Sequence, residues 1–130
     1  MNHSNVLKAI DIMKRARLHQ SLYMPTYQLS EKLVETEEEL NVCGSTACFA
    51  GHIGISPEWR EVGGTVDCDG CPEYVDGTRG SEAIAGWLGI SFELAINLIF
   101  ASDFYNKPFS EVTPDNVIEK LNLILEGELT

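Results

Sequence analysis

The spacing of apolar residues along the chain predicts a protein built mainly of amphipathic α-helices. Between Asn5 and His19, apolar residues recur every three or four positions, and most of the charged residues fall on the opposite side. Such a stripe is typical of a helix that buries one face. Its apolar members are Val6, Ala9, Ile10, Met13 and Ala16. We therefore predict a first helix from Asn5 to His19.

Two more helices are predicted in the last third of the chain, separated by a short turn. One begins at Ser81 and ends at Gly89, because glycine adopts the left-handed conformation that commonly terminates a helix. Ser91 then precedes an aliphatic segment, Phe92 to Ala101, in the position of an N-cap. The pattern predicts two consecutive helices with their apolar faces turned inward.

The final helix has the clearest boundary signals. Thr113 is placed to cap it, Pro114 suits its first turn, and Asp115 favours the positive end of the helix dipole. Gly127 is expected to stop it. Its apolar stripe comprises Val117, Ile118, Leu121, Ile124 and Leu125.

The region between the first helix and residue 62 predicts shorter elements. The stretch from Leu22 to Leu40 mixes aromatic residues, a proline and an acidic run, which favours an irregular crossing. Ser45 is in position to cap a short helix that continues to His52. Ser56 followed by Pro57 predicts one further helical turn.

Residues 61–80 differ in character from the rest, since glycines and a proline interrupt any helix there. Asp69-Gly70 lies between Val66 and Tyr74, and Asp-Gly is a strong turn signal. We predict a mainly α protein: one small helical domain with a short Gly-rich β-ribbon or loop insertion. That single domain covers residues 1–130, with N-terminal helices in 1–60, the ribbon or loop in 61–80 and C-terminal helices in 81–130.

Length and composition are those of a folded, water-soluble domain. The chain has 130 residues, 44% of them hydrophobic and 22% charged, which is neither a disordered nor a fibrous composition. No apolar run approaches the ~20 residues that cross a bilayer, and Met1 to Ile10 lacks the features of a secretion signal. We therefore expect a cytoplasmic protein with no membrane association.

Charge is distributed very unevenly along the chain. Up to Val34 there are five basic and two acidic residues, whereas from Glu35 onward there are four basic and 18 acidic residues, for a net charge of −11. A body this acidic repels phosphate, so direct nucleic-acid binding is disfavoured. Attraction to a basic partner is one interpretation, and solubility is the other.

Residues Trp87 to Ile99 resemble the helix, glycine turn and helix of a DNA-binding helix-turn-helix. A recognition helix needs Arg, Lys, Asn or Gln to reach bases and phosphates. The segment Phe92 to Ala101 offers Asn97 and contains no Lys or Arg. The residues therefore favour an ordinary helical hairpin over a DNA reader.

The four cysteines form two pairs whose spacing suits a tetrahedral zinc site. Four residues separate Cys43 from Cys48, and two separate Cys68 from Cys71. His52, one turn beyond Cys48, could replace a sulfur ligand or support one. Two other interpretations stay open: buried thiols without a ligand, and a redox pair at Cys68 and Cys71.

A cysteine-dependent enzyme is a further hypothesis. A thiol at a helix N-terminus can be activated, and His52 could act as the base for Cys43 or Cys48. No orienting acid is identifiable by spacing, and a base on the nucleophile's own helix is an awkward arrangement.

An aromatic group in the C-terminal half, made up of Phe100, Phe104, Tyr105 and Phe109, lies in sequence around Asp103. Aromatic side chains beside charges can anchor a protein interface. More often they cover the end of a hydrophobic core, which is the interpretation we favour.

The segment Cys43–His52 has the sequence CGSTACFAGH. It resembles the Cys-Gly-Thr-x-x-Cys-x-Ala-Gly-Trp/His signature of small uncharacterised proteins of bacteria and their phages. The aromatic stretch Tyr23–Tyr27, Leu88-Gly89-Ile90, Ile99-Phe100 and Thr113-Pro114 fit the layout of the same family. The resemblance implies a shared helical fold and no settled activity, and it does not include Cys68 or Cys71.

From charge and suspected phage origin we expect a noncatalytic acidic accessory protein. It would bind and modulate or inhibit a host protein with a basic surface, such as a nucleic-acid enzyme or a defence complex, in the host cytoplasm. The candidate partner-binding residues are Glu37, Glu38, Glu39, Asp103 and Tyr105. The alternatives are a zinc-stabilised interaction module built on Cys43, Cys48, His52, Cys68 and Cys71, and the cysteine-dependent enzyme.

Overall fold

The first helix covers the predicted segment and begins two residues earlier. The computed structural model of the chain describes residues 1–28 and 32–130. Helix α1 spans His3–His19, and the side chain of Asn2 caps it by accepting a hydrogen bond from the backbone N–H of Asn5. The buried residues are those of the apolar stripe, with Ile12 added: Val6, Ala9, Ile10, Ile12, Met13 and Ala16. The first predicted helix is confirmed.

Three short helices follow α1: α2 (Glu37–Cys43), α3 (Phe49–Ile55) and α4 (Pro57–Glu61). Helix α2 lies at the end of the stretch predicted to be irregular, of which residues 29–31 lie outside the described part. Thr36 caps α2, so its glutamates occupy the first turn, where the helix dipole favours negative charge. Ser56 caps α4 as predicted, by accepting from the backbone N–H of Trp59.

The cap of α3 differs from the prediction. Ser45 was expected to cap the helix, but the helix begins four residues later, and Cys48 is its N-cap. The Sγ atom of Cys48 accepts a hydrogen bond from the backbone N–H of Gly51. Residues 45–48 are extended instead, because Ala47 forms backbone hydrogen bonds with Ser21 and Tyr23 across the chain. A long-range pairing therefore overrides the local capping signal.

The predicted ribbon is present as two short antiparallel strands, β1 (Thr65–Val66) and β2 (Pro72–Glu73). Thr65 faces Glu73, and Val66 faces Pro72. The connecting turn is longer than an Asp-Gly turn, because Asp67 organises it. Its carboxylate accepts hydrogen bonds from the backbone N–H groups of Asp69 and Cys71.

The C-terminal part contains α5 (Gly80–Leu88), α6 (Phe92–Phe100), the one-turn α7 (Ser102–Tyr105) and α8 (Pro114–Leu125). A short 3-10 turn, Phe109–Glu111, precedes α8. The predicted boundary signals act where expected: Gly89 ends α5 with φ of 68°, Ser91 caps α6, and Thr113 caps α8 in a capping box with Asn116. The mainly helical fold with a small ribbon is confirmed.

One hydrophobic core joins both ends of the chain, with buried members from Val6 in α1 to Ile124 in α8. Helix α8 packs along α1, and α3 lies between α1 and the ribbon. A smaller cluster of Val34, Leu40, Ala47 and Ile55 anchors α2. This arrangement places α4, the ribbon and α5 around a common surface, which contains one of the two clefts described below.

Candidate functional site

The four cysteines occupy different environments, and all are free thiols. Cys43 and Cys68 are exposed, Cys71 is half-buried, and Cys48 is buried. The Sγ atom of Cys43 lies 2.9 Å from Oγ of Ser45. Within residues 1–28 and 32–130, no group of three or more His, Cys, Asp or Glu side chains is placed to hold a metal ion. The predicted set of Cys43, Cys48, His52, Cys68 and Cys71 is therefore not brought together into a ligand cluster.

Cys48 and His52 are both enclosed in the core. Burial raises the pKa of Cys48 to about 11, although backbone N–H groups of α3 lower it. The thiol is thus protonated at neutral pH, the opposite of an activated nucleophile. Burial lowers the pKa of His52 to about 4, so the imidazole is neutral. These two environments do not suit the proposed nucleophile and base.

The ring nitrogens of His52 have different roles. Nε2 lies 2.8 Å from the backbone carbonyl oxygen of Ser21. A carbonyl only accepts, so Nε2 carries the proton and donates it. The other nitrogen, Nδ1, is buried and has no hydrogen-bond partner among the described residues. His52 is therefore a structural histidine that ties α3 to the segment after α1.

The predicted acidic residues of α2 lie beside a cleft of about 1020 Å³, which we call the acidic groove. Glu38 and Glu39 line it, together with Leu33, Val42 and Cys43. Lys32 also lies on this groove. The third predicted glutamate, Glu37, points elsewhere: its Oε1 atom is 2.8 Å from Nε of Arg15.

The remaining predicted contact residues separate into one exposed and one buried side chain. Asp103 is exposed at the start of α7. Tyr105 is only 7% exposed, and its hydroxyl donates a hydrogen bond of 2.6 Å to the carbonyl of Leu98. Tyr105 therefore belongs to the core, which corrects the expectation that it contacts a partner. Its ring packs there because the hydroxyl finds an acceptor inside the protein.

A second cleft, of about 550 Å³, was not predicted from the sequence, and we call it the aromatic pocket. Three aromatic side chains line it: Trp59 from α4, Tyr74 after β2 and Trp87 from α5. The ring centroids of Trp59 and Trp87 are 5.8 Å apart with an interplanar angle of 88°. Those of Trp59 and Tyr74 are 5.6 Å apart at 52°.

Polar groups surround these rings. Asp76 and Glu82 line the aromatic pocket and are exposed. The indole Nε1 of Trp59 donates to the carbonyl of Thr65, whereas Nε1 of Trp87 is buried without an acceptor among the described residues. Gly86 also lines the pocket, and a Cβ atom added to it would meet nothing within 4 Å.

One sequence signal could have pointed to this pocket. Gly86 lies inside a helical segment where glycine is unfavourable, and it lies four residues after Glu82 on the same face of α5. A helical glycine beside a tryptophan favours an open cleft over that face. The sequence could not predict that α4, Tyr74 and α5 meet at one cleft, because this depends on packing between distant segments.

Helices α5 and α6 meet at a bend of 118°. They reach the length and apolarity of a membrane-crossing segment only as this bent pair, and no single helix in the described part does so. The exposed or half-exposed side chains of α6 include Phe92, Glu93, Ile96 and Phe100. This surface carries no basic side chain for phosphate contact.

Comparison with known proteins gave no match. No protein-family model matches the sequence, and no curated protein or solved structure matches it significantly. The resemblance of Cys43–His52 to a signature of small bacterial and phage proteins therefore stays a prediction.

Proposed function

We propose that this chain is a noncatalytic acidic accessory protein, phage-encoded, that binds a host protein with a basic surface and modulates or inhibits it. The observation that carries the proposal is that the arginine side chains are paired with acceptors on the protein itself. The chain has four, and each is held by an acceptor on the protein itself. The phage origin rests on the resemblance of Cys43–His52 alone.

The internal partners of the arginines are specific. Arg15 binds Glu37 and Glu58, Arg17 binds Asp115, and Arg79 binds Asp67. The guanidinium of Arg60 donates to the backbone carbonyl of Glu35. These pairings reduce the unpaired positive charge on the surface, and together with the net charge of −11 they support a partner other than nucleic acid.

Carboxylates, in contrast, are abundant on the surface. The chain has 20 acidic residues, and most of those after Val34 are exposed, on helices and loops alike. The exposed set comprises Glu35, Glu38, Glu39, Glu61, Asp69, Asp76, Glu82, Glu93, Asp103, Glu111, Asp115, Glu119, Glu126 and Glu128. Such a surface steers a positively charged protein toward it.

The chemistry of this surface favours one type of target. Carboxylates displayed at intervals can occupy positions that phosphates take in a basic nucleic-acid channel. A host nuclease, polymerase or defence complex with such a channel is therefore the proposed partner. The acidic groove, with Glu38 and Glu39 beside the exposed Val42, is the proposed contact region.

Capture from a bacterial lysate followed by affinity measurement tests the proposal. The captured protein is expected to be basic, to be released by duplex DNA, and to bind with a Kd that rises about tenfold between low and physiological salt. Replacing Glu38 and Glu39 with Gln should weaken binding about two- to tenfold, since each exposed charge contributes modestly.

The matched control replaces Glu126 and Glu128, which are exposed beyond α8, and removes the same charge. It should weaken binding less than the Glu38 and Glu39 variant. An affinity that does not change with salt, or a captured partner that DNA fails to displace, would overturn the proposal. Native mass spectrometry of the same complex reports any bound zinc, which would favour the metal-stabilised module instead.

A further inference from the structure

The aromatic pocket combines three features that occur together in sites for organic cations. Aromatic rings and carboxylates both line it, and the lining position Gly86 has open space beside it. Trp59 is the most deeply buried of the three rings at 1% exposed, Trp87 is 8% exposed, and Tyr74 is half-exposed. The rings pack tilted or edge-on against one another, and Tyr74 is the most accessible of the three from the cleft.

The charge of this pocket is entirely negative among its described lining residues. Asp76 and Glu82 carry carboxylates, and the other polar lining residues, Asn2, Asn5 and Thr78, are neutral. The carboxylate of Asp76 is held in place by Thr78, whose backbone N–H and hydroxyl donate to Oδ1 at 2.9 and 2.7 Å. These hydrogen bonds lower the pKa of Asp76, so it is ionised at neutral pH.

Gly86 leaves one position of the cleft lining without a side chain. Glu82 and Gly86 lie one helical turn apart on α5, and Trp87 follows immediately. A Cβ atom at Gly86 would meet nothing within 4 Å, so this part of the lining leaves room for a ligand. The position is exposed, so a side chain placed there would project into the cleft rather than into the core.

We propose that the aromatic pocket binds the cationic side chain of a lysine or arginine presented by the basic partner. The inference rests on the proposed function, because it identifies where one side chain of the proposed basic partner binds. The aliphatic stem of such a side chain packs on apolar rings while its charged head stays near water and carboxylates. Its charge is also attracted to the faces of Trp and Tyr rings.

An anionic or a purely apolar ligand matches the cleft less well. An anion would be repelled by Asp76 and Glu82, and a neutral apolar group would gain nothing from them. A lysine or arginine side chain uses the rings and the carboxylates at once. Because the surrounding surface is also acidic, the ligand that fits best is a lysine or arginine side chain of a basic polypeptide.

The experiment uses the full chain, labelled with ¹⁵N, and Nα-acetyl-lysine methylamide as the probe. The protein has two tryptophans, and both line the pocket, so its two indole N–H resonances report on ligand entry directly. The norleucine analogue has a similar stem without the charge, and the arginine analogue tests the second cation. The lysine probe is expected to shift both indole resonances and to bind about three- to thirtyfold more tightly than the norleucine probe.

Two pairs of variants locate the site. Gly86→Leu fills the cleft and should abolish the shifts, whereas Gly86→Ala leaves most of the space and should keep them. Glu82→Gln should weaken lysine binding about two- to fivefold and leave norleucine unaffected. Glu119→Gln, which removes an exposed charge from α8, should change neither. If Gly86→Leu does not fold, the two glutamate variants still decide the outcome.

Equal binding of lysine and norleucine probes, or unchanged shifts in Gly86→Leu, would overturn the inference. The proposed function is judged separately, by salt-dependent binding of a basic protein to the wild-type chain. If that protein binds Gly86→Leu as well as the wild type, and the lysine probe leaves the indoles unmoved, the pocket proposal fails while the proposed function stands. If the probe binds but no basic protein does, the proposed function fails instead.

Discussion

His52 shows how a single polar residue becomes part of the core. It is 1% exposed, it donates through Nε2 to the carbonyl of Ser21, and the charge of Arg15 adds to burial in lowering its pKa. A protonated imidazole would be an uncompensated charge in an apolar environment. The folded state therefore requires the neutral ring.

This requirement predicts a stability loss in acid. The pKa of His52 falls from 6.5 to about 4 on folding, so the unfolded chain binds a proton that the folded chain does not. The contribution is fully present above pH 6.5 and is lost as the pH falls toward 4, amounting to about 3 kcal/mol. Urea unfolding at pH 7.5 and 4.5 measures it.

The control is His52→Gln, which keeps a hydrogen-bond donor but does not titrate. Carboxylate contributions are common to both proteins, so the wild type should lose more stability between the two pH values than the variant. Equal losses would show that His52 is not the residue responsible.

The thiols predict an order of reactivity that also tests the enzyme hypothesis. Cys43 and Cys68 are exposed and should be labelled by iodoacetamide in the folded protein. Burial raises the pKa of Cys71 and of Cys48, so Cys71 should react more slowly and Cys48 only after unfolding. Peptide mapping of the labelled protein gives the order. A thiol that reacts far faster than free cysteine would support the hypothesis of a cysteine-dependent enzyme.

At the scale of elements, α3 approaches the preceding segment so closely that only glycine fits. A Cβ atom on Gly51 would overlap the carbonyl oxygen of Tyr27 and lie 2.9 Å from its carbonyl carbon. Both atoms belong to the backbone, so neither can move aside cheaply. The small residues of the Cys43–His52 segment thus serve helix packing.

Two glycine-to-alanine changes in helices should therefore have opposite effects. Gly51→Ala is expected to lower the free energy of unfolding by about 2–4 kcal/mol, because the backbone must shift. Gly86→Ala meets open space and should raise it by up to about 1 kcal/mol through helix propensity and reduced freedom of the unfolded chain. Urea titrations of both variants and the wild type measure these changes. Similar stabilities would contradict the close approach at Gly51.

At the scale of the whole molecule, Arg15 connects three helices. From α1 it binds Glu58 of α4 through both terminal nitrogens, at 3.0 and 2.6 Å, and Glu37 of α2 through Nε at 2.8 Å. Burial lowers the pKa of Arg15, but the hydrogen bonds to Glu58 and Glu37 outweigh it and raise the pKa overall. The guanidinium keeps two half-buried carboxylates together.

Removing this connection should destabilise the fold more than removing an exposed ion pair. Arg15→Gln leaves Glu37 and Glu58 to repel each other and is expected to cost about 1–2 kcal/mol, discounted for the partial exposure of Arg15. Arg17→Gln breaks the pair with Asp115, whose side chains are 51% and 67% exposed, and should cost less than about 0.5 kcal/mol. Urea unfolding of both variants measures these losses in the free energy of unfolding. Equal losses would show that the bidentate contact of Arg15 contributes no more than an exposed ion pair.

The sequence by itself determined the helices and most of their ends. Apolar periodicity located α1, α5, α6 and α8, and caps such as Ser91 and Thr113 acted as predicted. These signals were sufficient because periodicity and capping involve residues within about four positions of one another.

Only the tertiary structure decided what those helices enclose. It left the four cysteines without a common ligand cluster among the described residues, placed Tyr105 inside, and brought Trp59, Tyr74 and Trp87 to one pocket. It also moved the cap of α3 from Ser45 to Cys48, because Ala47 pairs with the chain after α1. Contacts of this kind join residues far apart in sequence, and they depend on how the helices pack rather than on any local pattern.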